Sequence, residues 1–172
     1  MSAWPHPACV EPERLLRDCV ERRTRGSGPG GQHRNKVETK IVLVHGPSGV
    51  TAQAGERRHL AQNRSMAIRR LRLALAVEVR GPAGALDRAP SDLFRARVRG
   101  GRIVLSPEHE DFPALLAEAL DCVAAARHDP RPAAAVLGCS PTQLVRMLAD
   151  HPPALAACNA ARREAGLPAL RG

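Results

Sequence analysis

From Val37 to His45, apolar and polar positions alternate, with Val37, Thr39, Ile41 and Leu43 on one side of an extended chain. That two-residue period is the mark of a half-buried strand. Gly46-Pro47-Ser48-Gly49 follows with turn chemistry. Val50, Ala52 and Ala54 then resume the alternation, so the two segments predict a β-hairpin. The period changes over residues Glu56–Val79, where Leu60, Ala67, Ile68, Leu71 and Leu75 recur at helical spacing. Arg57, Arg58, Arg64, Arg69 and Arg72 crowd the other positions, and the pattern predicts one long helix with an apolar stripe. Ahead of the hairpin, residues 11–24 read as a short amphipathic piece whose charged end does not suit the centre of a parallel sheet.

Residues 80–92 are loop by their Gly and Pro content. Phe94, Ala96 and Val98 alternate with Arg95, Arg97 and Arg99 before Gly100-Gly101 and Ile103, which predicts a small basic hairpin. From Ser106 onward the chain reads as Ala-rich helix. Leu137-Gly138 supplies a turn and Ser140 a cap ahead of Leu144, Val145 and Leu148, giving helix-turn-helix spacing. The expected fold class is α+β: a small mixed sheet or hairpin packed on a helix over residues 1–106, followed by an α-helical module over 107–172.

Charge adds an asymmetry. The chain of 172 residues carries a net charge of +9. Residues 1–106 hold 20 basic and 9 acidic side chains, residues 107–172 only 6 and 8. The front suits a polyanion and the back does not. With one Trp, two Phe and no Tyr, an aromatic stacking platform for single-stranded RNA is excluded. The five cysteines, Cys9, Cys19, Cys122, Cys139 and Cys158, are odd in number and widely spaced. Neither a zinc site nor a disulfide framework is expected, and a reduced, cytoplasmic setting fits. No apolar run approaches the roughly 20 residues of a membrane span, and the N-terminus lacks the pattern of a secretory signal.

Candidate chemistry centres on Arg25-Gly26-Ser27-Gly28-Pro29-Gly30-Gly31-Gln32-His33-Arg34-Asn35-Lys36. Gly26, Gly28 and Gly31 spell the dinucleotide-binding spacing, but no buried strand precedes them, no helix follows and no acidic ribose partner stands downstream. No Gly-Lys-Ser/Thr closes a phosphate-binding P-loop either. Four glycines in six residues allow positive φ and close approach, and let backbone N–H groups meet developing negative charge. No Asp-His-Ser or Cys-His set accompanies them, so a catalytic role would rest on positioning and backbone hydrogen bonds.

Taken in order, Ser27 to Gln32, Asn35, His45 before Pro-Ser-Gly-Val, Arg57-Arg58 and Gln62-Asn63-Arg64 resemble the catalytic domain of class I peptide chain release factors. The likeness, from about Arg25 to Leu75, is greatest to the short, codon-independent relatives that rescue stalled ribosomes. The resemblance implies that Gly30, Gly31 and Gln32 enter the peptidyl-transferase centre, where the Gln32 backbone N–H stabilises the leaving 3′-oxygen of peptidyl-tRNA as water attacks. The Gln32 side chain would select water over bulkier nucleophiles, and Gln32 would be open to N-methylation by a glutamine methyltransferase. Arg25, His33, Arg34, Asn35, Lys36, Arg57, Arg58 and Arg64 would contact large-subunit ribosomal RNA. The resemblance implies a peptidyl-tRNA hydrolase that works on the ribosome; a monomer with no cofactor, no metal and no membrane is expected.

Two departures stand out. Only some 25 residues precede the glycine segment, leaving no room there for a stop-codon reader. The last residues are not the Lys/Arg-rich tail of short rescue hydrolases. Two alternatives stay open: an RNA- or ribosome-binding module without catalysis, and a DNA-binding regulator acting through the C-terminal helices. The latter is poorly equipped, since Arg146 is the one basic residue of its second helix.

Overall fold

Ile41 and Leu43 are fully buried, and around them the chain builds a three-stranded sheet. The computed structural model describes residues 6–24, 39–81 and 83–172. After a 3-10 turn at Pro7–Cys9 come α1 (Pro12–Arg17), β1 (Cys19–Thr24), β2 (Lys40–His45), β3 (Thr51–Ala54) and α2 (Leu60–Glu78). Next are α3 (Asp92–Ala96), β4 (Val98–Arg99) and β5 (Arg102–Ile103), then α4 (Phe112–Ala125), α5 (Pro130–Leu137), α6 (Pro141–Ala149) and α7 (Pro152–Glu164). The α+β class expected from the pattern is what the chain forms. The sheet is antiparallel throughout rather than mixed, in the order β1-β2-β3.

The β2–β3 hairpin follows the predicted alternation. Ile41, Leu43 and His45 on β2 face inward with Ala52 and Ala54 on β3, and Val50 is buried beside them. Gly49 takes a left-handed φ of 73° in the turn, which favours glycine, and its N–H donates to the His45 carbonyl at 2.7 Å. Val37 lies outside the described residues. The piece read as merely amphipathic over 11–24 is a helix followed by a strand. Its charge is compatible with β1 because an edge strand buries little and pairs through one side only.

Helix α2 begins at Leu60, four residues later than its sequence pattern suggests. Glu56, Arg57 and Arg58 favour helix locally, but the Asn63 side chain bonds both the N–H and the carbonyl of Arg57, fixing that residue outside the helix. Asn63, Ala67, Leu71, Leu75 and Ala76 form the buried face, with Leu60 and Ile68 at its margin. The expected strand through Phe94 and Ala96 is instead α3. Ser91 caps it, its hydroxyl accepting from the Phe94 N–H at 3.1 Å. The hairpin itself is present but short, with Val98 opposite Ile103. Gly100 and Gly101 take φ of 55° and 75°, as a tight two-residue turn requires.

The C-terminal helices match the helical reading. Gly138 takes a left-handed φ of 72° after α5, and the Ser140 hydroxyl accepts from the Gln143 N–H to start α6. Helix α4 is buried on nearly every side, packed on α2 and the 3-10 turn and covered by α5 and α7. Buried side chains on both sides of residue 106 form one contiguous cluster. Two arginines of α2 hold the connection: Arg69 donates to the carbonyls of Pro107, Glu108 and His109, and Arg72 to those of Ala8 and Glu110. Among the described residues, no helix is long and apolar enough to cross a membrane.

Candidate functional site

The sheet has two unlike ends. At one, β2 turns into β3, and His45 is buried with its Nδ1 2.7 Å from the Ser48 hydroxyl. That hydroxyl also accepts from the Val50 N–H at 3.3 Å, so the contact staples the turn. Burial lowers the His45 pKa, partly offset by the carboxylate of Asp18.

At the other end β1 leaves at Thr24, paired with Lys40 as β2 begins. Residues 25–38, between them in sequence, hold Arg25, Gly30, Gly31, Gln32, His33, Arg34, Asn35 and Lys36, and these site candidates lie outside the described residues. What the described residues supply is the surround. Arg22 pairs across the sheet with Val42, Arg23 with Ile41 and Thr24 with Lys40. Lys40 abuts Gly55, where an added Cβ would come within 3.0 Å of the Lys40 Cβ and Cγ. Exposed Arg57 and Arg58 follow directly. Among the described residues, none of Arg22, Arg23, Lys40, Arg57 and Arg58 enters an ion pair. The Arg58 Nε donates only to the neighbouring His59 ring, at 3.2 Å.

The remaining arginines near this end are engaged. Arg64 Nε lies 2.8 Å from Glu21 Oε2 on β1. Arg70 bonds the Gln53 carbonyl at 2.8 Å and Glu56 Oε1 at 2.7 Å. The Arg70 guanidinium, with backbone N–H groups, holds the Glu56 carboxyl down at about 2, so this acid is ionised and already neutralised. Sequence reasoning missed three cations, Arg22, Arg23 and Lys40. The structure sets Lys40 against Gly55, just ahead of Arg57 and Arg58. It puts Arg22 and Arg23 on the neighbouring strand, Arg22 on the sheet face of Lys40 and Arg23 on the other. It sets Arg64 beside them in an ion pair. Arg22 and Arg23 were hidden because β1 was not read as a strand, and Lys40 because it falls on a polar position of the predicted hairpin.

Asn63 carries part of the resemblance but was given no role from the sequence. It falls on the apolar stripe, four residues before Ala67, yet is polar and fully buried. Its Nδ2 donates to the carbonyls of Thr39 at 2.6 Å and Arg57 at 2.7 Å, and its Oδ1 accepts from the Arg57 N–H at 2.9 Å.

Chemically, this end can grip a polyanion through unpaired guanidinium and ammonium groups. Thiol chemistry has no support: burial pushes the Cys9 and Cys122 thiols up to about 12 and Cys139 to about 11. Among the described residues, no cluster of His, Cys, Asp or Glu could hold a metal ion.

Residues 16–88, which span this sheet and α2, match the RF-1 domain family. A stretch of 66 residues is 42% identical to the mitochondrial translation release factor in rescue of Danio rerio, covering 38% of this chain and 42% of that protein. Over 74 residues the chain is 40% identical to an uncharacterised mitochondrial peptide chain release factor-like protein of Saccharomyces cerevisiae, covering 42% of this chain and 43% of that one. Peptide chain release factor 1 of Acidiphilium cryptum is 39% identical over 61 residues, 36% of this chain and 17% of its own length. The chain therefore spans less than half the length of each of these relatives. No solved structure matches it.

Proposed function

From the match of residues 16–88 to the RF-1 domain family, we propose that this protein hydrolyses the peptidyl-tRNA ester on the ribosome, independently of a codon, to rescue stalled translation. The observation that carries this reading is where Gly30-Gly31-Gln32 sits in the chain. It lies in the sequence connection between β1 and β2, whose ends at Thr24 and Lys40 neighbour cations with no ion pair among the described residues.

Arg22, Arg23, Lys40, Arg57 and Arg58 contact ribosomal RNA phosphates, together with Arg25, His33, Arg34, Asn35 and Lys36 from the connection. Arg64 joins them where RNA draws it from Glu21. Phosphate contacts of this kind fix register and supply salt-dependent affinity rather than chemistry. Gly30, Gly31 and Gln32 reach the peptidyl-transferase centre. A water oxygen attacks the ester carbonyl carbon, the bond to the tRNA 3′-oxygen breaks, and a proton from the water ends on that oxygen. The Gln32 backbone N–H stabilises the charge developing there, the work of an oxyanion donor. Gln32 is the site for a glutamine methyltransferase. Residues 107–172 act as a helical module bracing the front 1–106, and the protein works as a monomer in the cytoplasm. Codon independence is supported by the similarity to a factor in rescue.

The test is release of labelled peptide from peptidyl-tRNA on ribosomes with the A site empty of mRNA and with it filled. Release favoured by the empty site supports the reading. Binding to large-subunit RNA without release would make the protein a non-catalytic ribosome-binding module.

A further inference from the structure

Asn63 occupies the first turn of α2 with no solvent exposure. An amide there is a poor helix former, and a buried amide costs stability unless its groups are bonded. The apolar stripe of the same helix shows what packing alone would place there, Ala or Leu as at Ala67, Leu71 and Leu75. Instead every side-chain hydrogen bond of Asn63 goes to backbone outside its own helix, at Thr39 and Arg57. One orientation of the amide satisfies all three bonds, since the flipped one would set its oxygen against two carbonyls. Thr39 leads into Lys40, and Arg57 into Arg58. A single buried amide therefore locks the root of β2 to the basic corner before α2.

We infer that Asn63 is a positioning residue for peptidyl-tRNA hydrolysis, fixing the β2 root at Thr39 relative to the Arg57–Arg58 corner; this rests on the function proposed above. Asn63 touches neither substrate nor RNA in this role. It fixes where the sequence segment that carries Gly30-Gly31-Gln32 joins β2, relative to the corner that grips RNA.

Asn63→Asp keeps an acceptor for the Arg57 N–H but turns a carboxylate oxygen toward two carbonyls. Asn63→Ala removes all three bonds. Asn63→Ser, small and able to donate one bond, serves as a gentler comparison. Single-turnover peptide release at saturating protein, ribosome affinity and thermal unfolding are measured on the full chain, well below the unfolding midpoint. Arg57→Ala/Arg58→Ala is measured alongside. A misplaced reacting group loses on the order of ten- to a hundredfold in rate, so the Asp and Ala variants should fall by that much at saturation while affinity changes by less than about threefold. Asn63→Ser should lie between them and the unaltered chain. In the double Arg variant the loss should fall on affinity and its salt dependence.

An unchanged saturating rate in Asn63 variants that unfold more easily would overturn the inference, leaving the amide a stabilising contact only. So would a loss confined to affinity. If the unaltered chain binds ribosomes but releases no peptide, the hydrolase reading fails and the positioning role falls with it. If the unaltered chain and Asn63→Asp release peptide equally fast, only the inference fails.

Discussion

Arg64 Nε and Glu21 Oε2 lie 2.8 Å apart, an ion pair that ties the start of α2 to the edge strand β1. Both side chains are partly exposed, so the pair contributes only about 0.2–1 kcal/mol to stability. Its larger consequence is for binding. Glu21→Ala should free Arg64 and tighten ribosome binding, whereas Arg64→Ala should leave a bare carboxylate and weaken it. Affinity measured over a range of salt concentrations decides this, and equal affinities in both variants would show that RNA does not approach this face.

Arg57→Ala/Arg58→Ala should weaken ribosome binding and flatten its salt dependence, by about one unit of slope for each phosphate no longer neutralised. Folding should change little, because both side chains are exposed and the Asn63 bonds to residue 57 are to backbone. The salt slope from filter binding is the measurement. A slope equal to that of the unaltered chain would make the corner a merely solvated face.

Gly31→Ala should lose about a hundred- to a thousandfold in peptide release while still binding, the usual cost of one misplaced oxyanion donor. A Cβ there restricts the backbone and its approach to RNA. Gln32→Ala keeps the backbone N–H. It should retain part of the rate with water and begin to accept small nucleophiles such as hydroxylamine. Single-turnover release, with binding measured in parallel, checks both variants, and full activity in Gly31→Ala would remove the catalytic reading.

Acid should destabilise the fold through its buried histidines. His6 is fully buried; its Nδ1 accepts from the Ala8 N–H at 3.1 Å and its Nε2 faces the Val79 carbonyl at 3.0 Å. Burial holds its pKa below the usual 6.5, against the opposing pull of that carbonyl and of Asp121. A histidine depressed in the fold binds a proton more readily once unfolded. Its stabilising effect is therefore present above pH 6.5 and is lost as pH falls toward the folded value. Burial depresses His45 and His151 as well. The unfolding temperature should drop as pH falls below 6.5, less steeply in His6→Gln, and a pH profile identical in the two proteins would show that His6 is not a source of the loss.

The hairpin and the body of α2 were legible because each buries one face, so the period of Ile41, Leu43, Ala52 and Ala54, and of Ala67, Leu71 and Leu75, is written in side chains. The start of α2 was not, because Glu56 to Arg58 favour helix locally and a tertiary contact from Asn63 overrules them. Strand β1 escaped notice for another reason. Its outward residues and its edge position demand no apolar run, and the cations it contributes gain meaning only from the register with Lys40 and Ile41. Arg57 and Arg58 were read as helical and RNA-facing. They lie ahead of the helix, but at the end of the sheet where the sequence segment 25–38 departs and returns.

Arg69 and Arg72 divide the arginines of this chain into two populations that a charge count merges. Each of these two acts as a many-toothed clip on carbonyls of distant segments, Arg69 on residues 107–109 and Arg72 on Ala8 and Glu110. A guanidinium fork does this and an ammonium does not, although both carry one positive charge. An arginine-to-lysine exchange, neutral in the formal charge of the whole, would thus sort them: silent at Arg57 and Arg58, where charge is what counts, and loosening at Arg69 and Arg72, where geometry is.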